Sequence, residues 1–346
     1  MGSCGCGCKG KPDVALGDVE ASARPEVRQL STETTWRDTI GGWRVRWGIG
    51  RKDYPVKPGL YRVGTPGAES RVLVTANYKL TVDMVRSHLA GLNVWLLVPD
   101  TKGINVWRAA GKGTFGTGEL AGRIASVGLA GVVRHRNLIV PQLGATGVVA
   151  HEVKRATGFT VHYGPVRASD IPAYLAAGMR ATPAMRRVRF GWRERLVLAP
   201  VELVGALKPL AMVVAAFLAL TLIRNHRLTG RFAVDGVPFI AAVLTGGVPV
   251  PLLLPWLLSR YFVLKGAVAG IVVSMVLRAV LHRGIAETVG TMLLVVAVTS
   301  YMAMMFTGST TFTTLAGARL EVRRALPPIL ASAAIGAILR VVAILE

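Results

Sequence analysis

Val72-Leu-Val-Thr-Ala-Asn-Tyr-Lys-Leu-Thr-Val-Asp-Met-Val-Arg-Ser-His-Leu-Ala-Gly-Leu-Asn-Val-Trp-Leu-Leu-Val98 reads as a strand, a helix and a second strand. Val72–Ala76 is a short apolar run, Val82–Leu89 has helical spacing, and Asn93–Val98 is apolar again. The alternation continues downstream. Ile104–Trp107 is a third apolar run, Glu119–Leu129 has helical spacing, and Leu138–Val140 is a short strand. Val148–Thr157 then reads as a helix, Phe159–His162 as a strand, and Ala168–Ala177 as a helix opened by Asp170. Strands alternating with helices predict an α/β domain with a mostly parallel sheet. Ligands of such sheets bind beyond the carboxyl ends of the strands.

The composition demands something more. The 346 residues are 52% hydrophobic and only 17% charged, against roughly 25% charged in soluble domains. Mean hydropathy is +0.47. These values exclude a disordered chain and argue against a wholly soluble one. Lys and Arg number 41 against 19 Asp and Glu, a net charge of +22. With so much apolar sequence, that excess reads as basic loops beside a membrane, not as a nucleic-acid surface.

The apolar residues concentrate beyond Val201. Five stretches, Leu203–Ile223, Gly236–Leu258, Phe262–Leu281, Ile285–Phe306 and Ala325–Leu345, are each long enough to cross a hydrocarbon core of about 30 Å. Pro249, Pro251 and Pro255 should kink the second. Lys208, Arg278 and Arg340 lie near span ends and read as snorkelling side chains. No span has an Asp or Glu near its middle, which argues against a proton-coupled transporter. Arg180, Arg186, Arg187, Arg189, Arg193 and Arg195 precede the first span, and Arg260, Lys265, Arg319, Arg323 and Arg324 share its side. Arg224, Arg227, Arg231 and Arg283 face them across the membrane. The bias puts the N-terminal part in the cytoplasm.

The expected organisation is a flexible tail over 1–35, an α/β domain over 36–180, a basic linker over 181–202 and a membrane domain over 203–346. The first residues contain no apolar core of a secretory signal.

The densest motif is Gly103-Ile-Asn-Val-Trp-Arg-Ala-Ala-Gly-Lys-Gly-Thr-Phe-Gly-Thr-Gly118, following a strand and leading into a helix. Gly111, Gly113 and Gly116 match G-x-G-x-x-G. No carboxylate follows at the ribose-binding distance; Arg134, His135 and Arg136 stand there instead. Spacing alone leaves open an NADP site or a glycine-rich turn without ligand. It is not a P-loop, because Gly113 follows Lys112 where Ser or Thr belongs.

Four segments carry a resemblance: Val74-Thr-Ala-Asn-Tyr-Lys-Leu-Thr81, Asp100–Gly116, Pro141-Gln-Leu-Gly144 and Gly164-Pro-Val-Arg-Ala168. The sequence resembles the mercury-methylation corrinoid protein family, HgcA. That family is similar in its soluble part to the corrinoid domain of the acetyl-CoA-pathway corrinoid iron–sulfur protein. The resemblance implies an α/β cytoplasmic corrinoid-binding domain, mostly a parallel sheet, followed by an all-α transmembrane domain of five helices at the inner membrane. It implies a base-off cobalamin capped by the helix after Asn105-Val-Trp107, and a methyl group carried on cobalt to an acceptor, Hg(II) in mercury-methylating members. A ferredoxin-like iron–sulfur protein would donate electrons, and a methyltetrahydrofolate-dependent system would supply the methyl group. Asn105, Val106, Trp107, Ala109, Ala110, Gly111, Lys112, Gly113, Thr114 and Gly116 would form the corrin face. Thr75, Asn77 and Gln142, at strand ends, could contact corrin amides or merely cap turns.

One departure stands out. Where the family places the Cys that ligates cobalt from below, this sequence has Arg108. A guanidinium stays protonated and has no free lone pair, so it cannot ligate. The resemblance thus implies a base-off corrinoid with no protein axial ligand and weak or absent mercury methylation.

Cys4, Cys6 and Cys8 are the only cysteines. Their alternation is not zinc-finger spacing; it suits a soft ion such as Cu(I) or Hg(II), or is incidental. A membrane protein with a thiol-based metal-handling domain and no corrinoid is therefore an alternative, as is an NADP-binding membrane oxidoreductase. His88, His135, His151 and His162 lack metal-ligand spacing. Trp36, Trp43 and Trp47 alternate with Arg37, Arg44 and Arg46, and read as a β-hairpin packed on the domain or a contact with lipid headgroups.

Overall fold

The computed structural model describes residues 26–51, 53–225, 231–257, 259–281 and 285–345. In chain order the elements are β1 (Val27–Gln29), α1 (Trp36–Arg46), β2 (Gly59–Val63), β3 (Val72–Val74), α2 (Lys79–Ser87), β4 (Val94–Val98), α3 (Val106–Lys112), α4 (Thr117–Ser126) and α5 (Leu129–Val132). There follow β5 (Asn137–Val140), α6 (Ala150–Thr157), β6 (Thr160–Tyr163), α7 (Ile171–Ala176), α8 (Trp192–Asn225), α9 (Arg231–Gly247), α10 (Pro249–Leu253), α11 (Phe262–Leu281), α12 (Ile285–Met305) and α13 (Leu315–Leu345). They form two units. One holds residues up to Thr34 with Tyr54–Arg186; the other holds Thr35–Asp53 with the chain from Arg187 onward.

The first unit is built on a six-stranded sheet of order β1-β2-β4-β3-β5-β6. Strands β4, β3, β5 and β6 are parallel neighbours, as the alternation predicts. Strand β2 runs antiparallel to β4, with β1 parallel beside it. Neither of these two strands stands out in the sequence.

Strand β4 is buried at every position. Its side chains alternate between two cores, because successive strand residues point to opposite faces. Trp95 and Leu97 join Val106, Ala109 and Ala110 of α3, Leu120 and Ile124 of α4, and Val153 of α6. Val94, Leu96 and Val98 join Val82 of α2 and Tyr174 of α7. Both faces are thus covered, which is why these strands read as unbroken apolar runs. Helix α2 carries the chain from β3 to β4 on one side, and α3–α5 return it to β5 on the other side of β3. The winding reverses between β3 and β5, which opens a crevice at their carboxyl ends.

The second unit has five helices long and apolar enough to cross a membrane, within Trp192–Ala216, Gly236–Leu253, Phe262–Leu281, Glu287–Gly308 and Ala316–Ala343. Two helices begin well before the apolar stretches that announce them, α8 at Trp192 and α13 at Leu315. The intervening residues include Arg193, Arg195, Arg319, Arg323 and Arg324. Arginine ends an apolar run but is a good helix former, so the helices continue through it. Half of the 181–202 stretch read as a linker is therefore helical, from Trp192 onward. The proline-rich span does break: α9 stops at Gly247, Val248 leaves helical geometry, and α10 starts with Pro249. Pro at a first helical position loses nothing, since that N–H has no intrahelical partner.

Glycines bring the helices together. A Cβ on Gly266 would sit 2.5 Å from Thr299 O, and one on Gly270 2.3 Å from Thr299 Oγ1. Arg340 is not a snorkelling cation. It is buried and pairs with Glu287 at 2.6 Å, tying α13 to α12. An unpaired charge at that depth would be costly, and the carboxylate offsets it.

Trp36–Arg46 is helical with Trp47 as its C-cap, not a hairpin. Thr35 caps the backbone N–H of Asp38, and the Asp38 carboxylate accepts from Thr35 N at 2.9 Å, a complete capping box.

Candidate functional site

The reversal point holds a cavity of about 320 Å³. Thr75 and Tyr78 reach it from the end of β3, and Leu80, Thr81 and Met84 from α2. Asn105, Val106 and Trp107 come from the start of α3, Pro141 and Leu143 follow β5, and the Gly164–Ala168 loop follows β6. The lining is largely apolar. One buried hydroxyl in it, Thr75 Oγ1, has no hydrogen-bond partner among the described residues, although Thr75 is only 1% exposed. Gly164 keeps the far wall open: a Cβ there would lie 2.9 Å from Ile139 Cγ2.

The wall contributed by α3 is fixed at both ends. At the start, buried Asn77 Oδ1 accepts hydrogen bonds from Thr101 N (3.1 Å), Thr101 Oγ1 (2.7 Å) and Gly103 N (3.0 Å). Its Nδ2 donates to Asp100 Oδ1 at 3.1 Å. Asp100 also accepts from Lys102 N at 2.9 Å and Lys102 Nζ at 2.5 Å. The Lys102 ammonium holds the Asp100 carboxyl below the usual carboxylate range, and Asp100 in turn raises Lys102. Lys102 and Gly103 both take left-handed backbone (φ 58° and 66°), so the chain turns sharply into the helix. Asn105 then caps α3, its Oδ1 accepting from Arg108 N at 3.0 Å.

At the other end Gly113 takes φ 81° as the helix C-cap, a conformation that favours glycine. The chain drives Phe115 into the core, where it is 1% exposed. Gly144 and Gly147 accommodate it; Cβ atoms there would lie 2.5 Å from Phe115 Cε1 and 2.2 Å from Phe115 O.

The residues anticipated for a corrin face separate by helix geometry. Val106, Ala109 and Ala110 turn inward to the core, while Trp107, Arg108, Gly111 and Lys112 are exposed along one side of α3. A Cβ on Gly111 would meet nothing within 4 Å. Thr114 is half-buried, its Oγ1 donating to Ala109 O at 3.4 Å. Gly116 is the N-cap of α4. The glycine fingerprint is therefore not a strand–turn–helix loop. Gly111 and Gly113 end one helix and Gly116 begins another, so the backbone N–H cradle of a dinucleotide turn is absent from this run. The apolar segment Ile104–Trp107 is a helix start, not a strand. Asn77 turns its Oδ1 and one Nδ2 proton to the Asp100–Gly103 loop and is absent from the cavity lining. Gln142 lies outside the cavity lining, with Oε1 accepting from Arg186 Nη1 at 3.4 Å.

Tyr78, Leu80, Thr81, Met84, Leu143 and Val166 were not anticipated as lining residues. They are ordinary apolar or small polar types, and only their position just past strand ends marks them. Among the described residues no three His, Cys, Asp or Glu side chains form a metal-holding group. Cys4, Cys6 and Cys8 lie outside the described residues.

Comparison with known proteins falls on this same region. Residues 48–175 match the family model of the CO dehydrogenase/acetyl-CoA synthase delta subunit. The acetyl-CoA decarbonylase/synthase complex subunit gamma of Methanopyrus kandleri is 39% identical over 128 residues, covering 36% of this chain and 27% of that protein. The corresponding subunit of Methanocaldococcus jannaschii is 34% identical over 127 residues, covering 36% and 26%. That of Archaeoglobus fulgidus is 32% identical over 127 residues, covering 36% and 27%. The chain thus spans about a quarter of the length of these relatives, and the family match ends at residue 175, before α8.

Proposed function

We propose that the α/β unit holds a corrinoid against the exposed side of α3 and that the chain carries a methyl group on that cofactor beside a membrane. The observation that carries this reading is the pairing of a helix locked at both ends with an apolar cavity containing one unpaired buried hydroxyl. Both lie within the stretch similar to acetyl-CoA decarbonylase/synthase gamma subunits.

The residues present fit such a group. A flat macrocycle needs a level platform, and Gly111 between Trp107 and Lys112 leaves room for close approach. A corrin edge is rich in amides, which suits Thr75 Oγ1 as a donor or acceptor. When bound, the corrinoid supplies a cobalt centre able to take up and release a methyl group. The chain's own part is orientation and water exclusion. Trp107 and the apolar cavity wall cover the cofactor, and the Asn77 network keeps α3 from shifting beneath it.

Arg108 sets the character of the site. A thiolate at this position would push electron density onto a metal, whereas a guanidinium cannot ligate at all. We therefore read the corrinoid as base-off with no axial ligand from residue 108. Methylation of Hg(II), which the resemblance to HgcA would bring, is weak or absent. On the same resemblance, a ferredoxin-like iron–sulfur protein is the electron donor and a methyltetrahydrofolate-dependent system the methyl donor, at the cytoplasmic face of the inner membrane. The five long apolar helices support the membrane part of this reading.

The test is the absorption spectrum of the full chain, purified in detergent and offered hydroxocobalamin. Uptake with a base-off spectrum is expected, and Arg108→Cys should add a thiolate-ligation band. A protein that stays colourless, or a thiolate spectrum from the unaltered chain, would contradict the proposal.

A further inference from the structure

Helix α1 belongs to the unit that contains the five long apolar helices, and its surface is sharply divided. Trp36, Ile40, Trp43 and Trp47 follow one another at intervals of four, three and four residues. At 3.6 residues per turn this is a single stripe along the helix and its C-cap. All four are open to solvent, with exposures of 68%, 50%, 62% and 47%. Gly42 and Val45, on the opposite side, are buried. At the end of the helix, a Cβ on Gly48 would lie 3.3 Å from Val201 Cγ2 of α8, so the segment is anchored beside that helix.

Three large indoles are costly to leave in water and are not needed for the fold, since the packed face is the other one. The stripe is flanked by cations: Arg37 and Arg44 on one side and Arg46 on the other. The Arg37 guanidinium lies 5.4 Å from the Trp36 ring centroid. The sole carboxylate of the helix, Asp38, is engaged in the capping box. Tryptophan combines an apolar body with an N–H donor and favours the boundary between hydrocarbon and water. An amphipathic helix with indoles on one face and arginines at its flanks has the composition of an interfacial helix drawn to anionic lipid.

We propose that α1 is a membrane-interface helix, its Trp36–Ile40–Trp43–Trp47 stripe seated among the headgroups of an anionic lipid leaflet beside α8. This rests on the reading of the five apolar helices as membrane spans. Lipid is favoured over a protein partner because the stripe continues a unit already committed to the bilayer and its flanks are uniformly cationic.

The test uses the full chain reconstituted into vesicles containing phosphatidylglycerol and lipids brominated near the headgroup end of the acyl chains. Trp36, Trp43 and Trp47 are replaced together by Phe, and the difference in emission from the unaltered chain isolates the stripe. The stripe emission is expected to be blue-shifted, to lose most of its intensity to bromolipid, and to resist aqueous iodide. Stripe emission quenched by iodide and indifferent to bromolipid would overturn the proposal. So would emission indifferent to both, which would mean that protein covers the stripe. Four tryptophans persist in the triple variant, Trp95 and Trp107 of the α/β unit and Trp192 and Trp256 of the helical unit, and the part of their emission lost to bromolipid reports insertion of the long helices separately. If that emission also ignores bromolipid, the membrane reading itself fails; if it responds and the stripe does not, only the present proposal does. Replacing Arg37, Arg44 and Arg46 by Gln should abolish the rise in stripe quenching with phosphatidylglycerol content. A rise equal to that of the unaltered chain would contradict the charge argument.

Discussion

The two units differ most in what they leave exposed. In the α/β unit, Leu96, Leu97 and Val98 are wholly inside and, buried Arg86 apart, the charged residues lie at loops and helix surfaces. In the helical unit, Met275, Val280 and Ile338 are more than half exposed, while Thr299, Ser300, Lys265 and Arg340 are buried. The first is an arrangement for water. The second is compatible with a bilayer, where close helix contact depends on small residues and interhelical polar contacts. The difference explains why one chain contains both a conventional core and an excess of apolar surface.

That comparison can be broken in several ways. Asn77→Ala should have the largest effect, because it strands the buried backbone N–H groups of Thr101 and Gly103, while the Thr101 hydroxyl keeps Ile104 O as its acceptor. Denaturant unfolding of the α/β unit should show a loss of at least about 3 kcal/mol, while the helical unit keeps its thermal transition. Equal damage to both units would contradict their independence. Gly266→Ala comes next and should strike only the helical unit. Its Cβ would press on Thr299 O and the Ser300 backbone, at a cost of about 1–3 kcal/mol, read as a lower midpoint of detergent-solubilised unfolding.

Thr75→Val is smaller and more discriminating. It removes a hydroxyl with no partner among the described residues, so stability should hold or rise slightly. Cofactor affinity should fall about three- to tenfold, the worth of one hydrogen bond. Unchanged affinity would mean that Thr75 does not reach the ligand. Smallest is a pH effect at Asp100. Lys102 lowers its pKa in the folded state, so folding is favoured above the unfolded carboxylate range, and that contribution is lost as pH falls through the lowered folded value. Asp100→Asn should flatten this part of the stability profile, measured by urea midpoints from neutral to acidic pH.

Much of this molecule is legible in its sequence. The parallel strands announce themselves because both faces are covered, which leaves no polar alternation to confuse the pattern. The apolar helices are legible for the same reason carried further. Strands β1 and β2 are not, since three residues and five carry little periodicity and the pairings of β1 with β2 and of β2 with β4 join distant chain. Helix α1 is the instructive miss. Its tryptophans suggest strand, yet Thr35-x-x-Asp38 is a readable capping signature. At the site, the α3 motif identifies the right helix, but a motif does not say which side faces out. Ala109 and Ala110 go to the core, Asn77 is consumed by a loop, and the α2 and β6-loop residues enter only through topology.

The central claim is that the open side of α3 is the cofactor face, and Gly111 tests it most directly. Gly111→Leu fills the empty space above the helix while improving helix propensity by about 0.8 kcal/mol, so misfolding is not the expected consequence. Gly122→Leu, on the exposed surface of α4, serves as the control. Cobalamin retention by the full chain, measured by co-elution at a series of cofactor concentrations, should weaken at least about tenfold in the first variant, equivalent to about 1.4 kcal/mol, and stay unchanged in the second. Undiminished retention with Leu at position 111 would contradict the account.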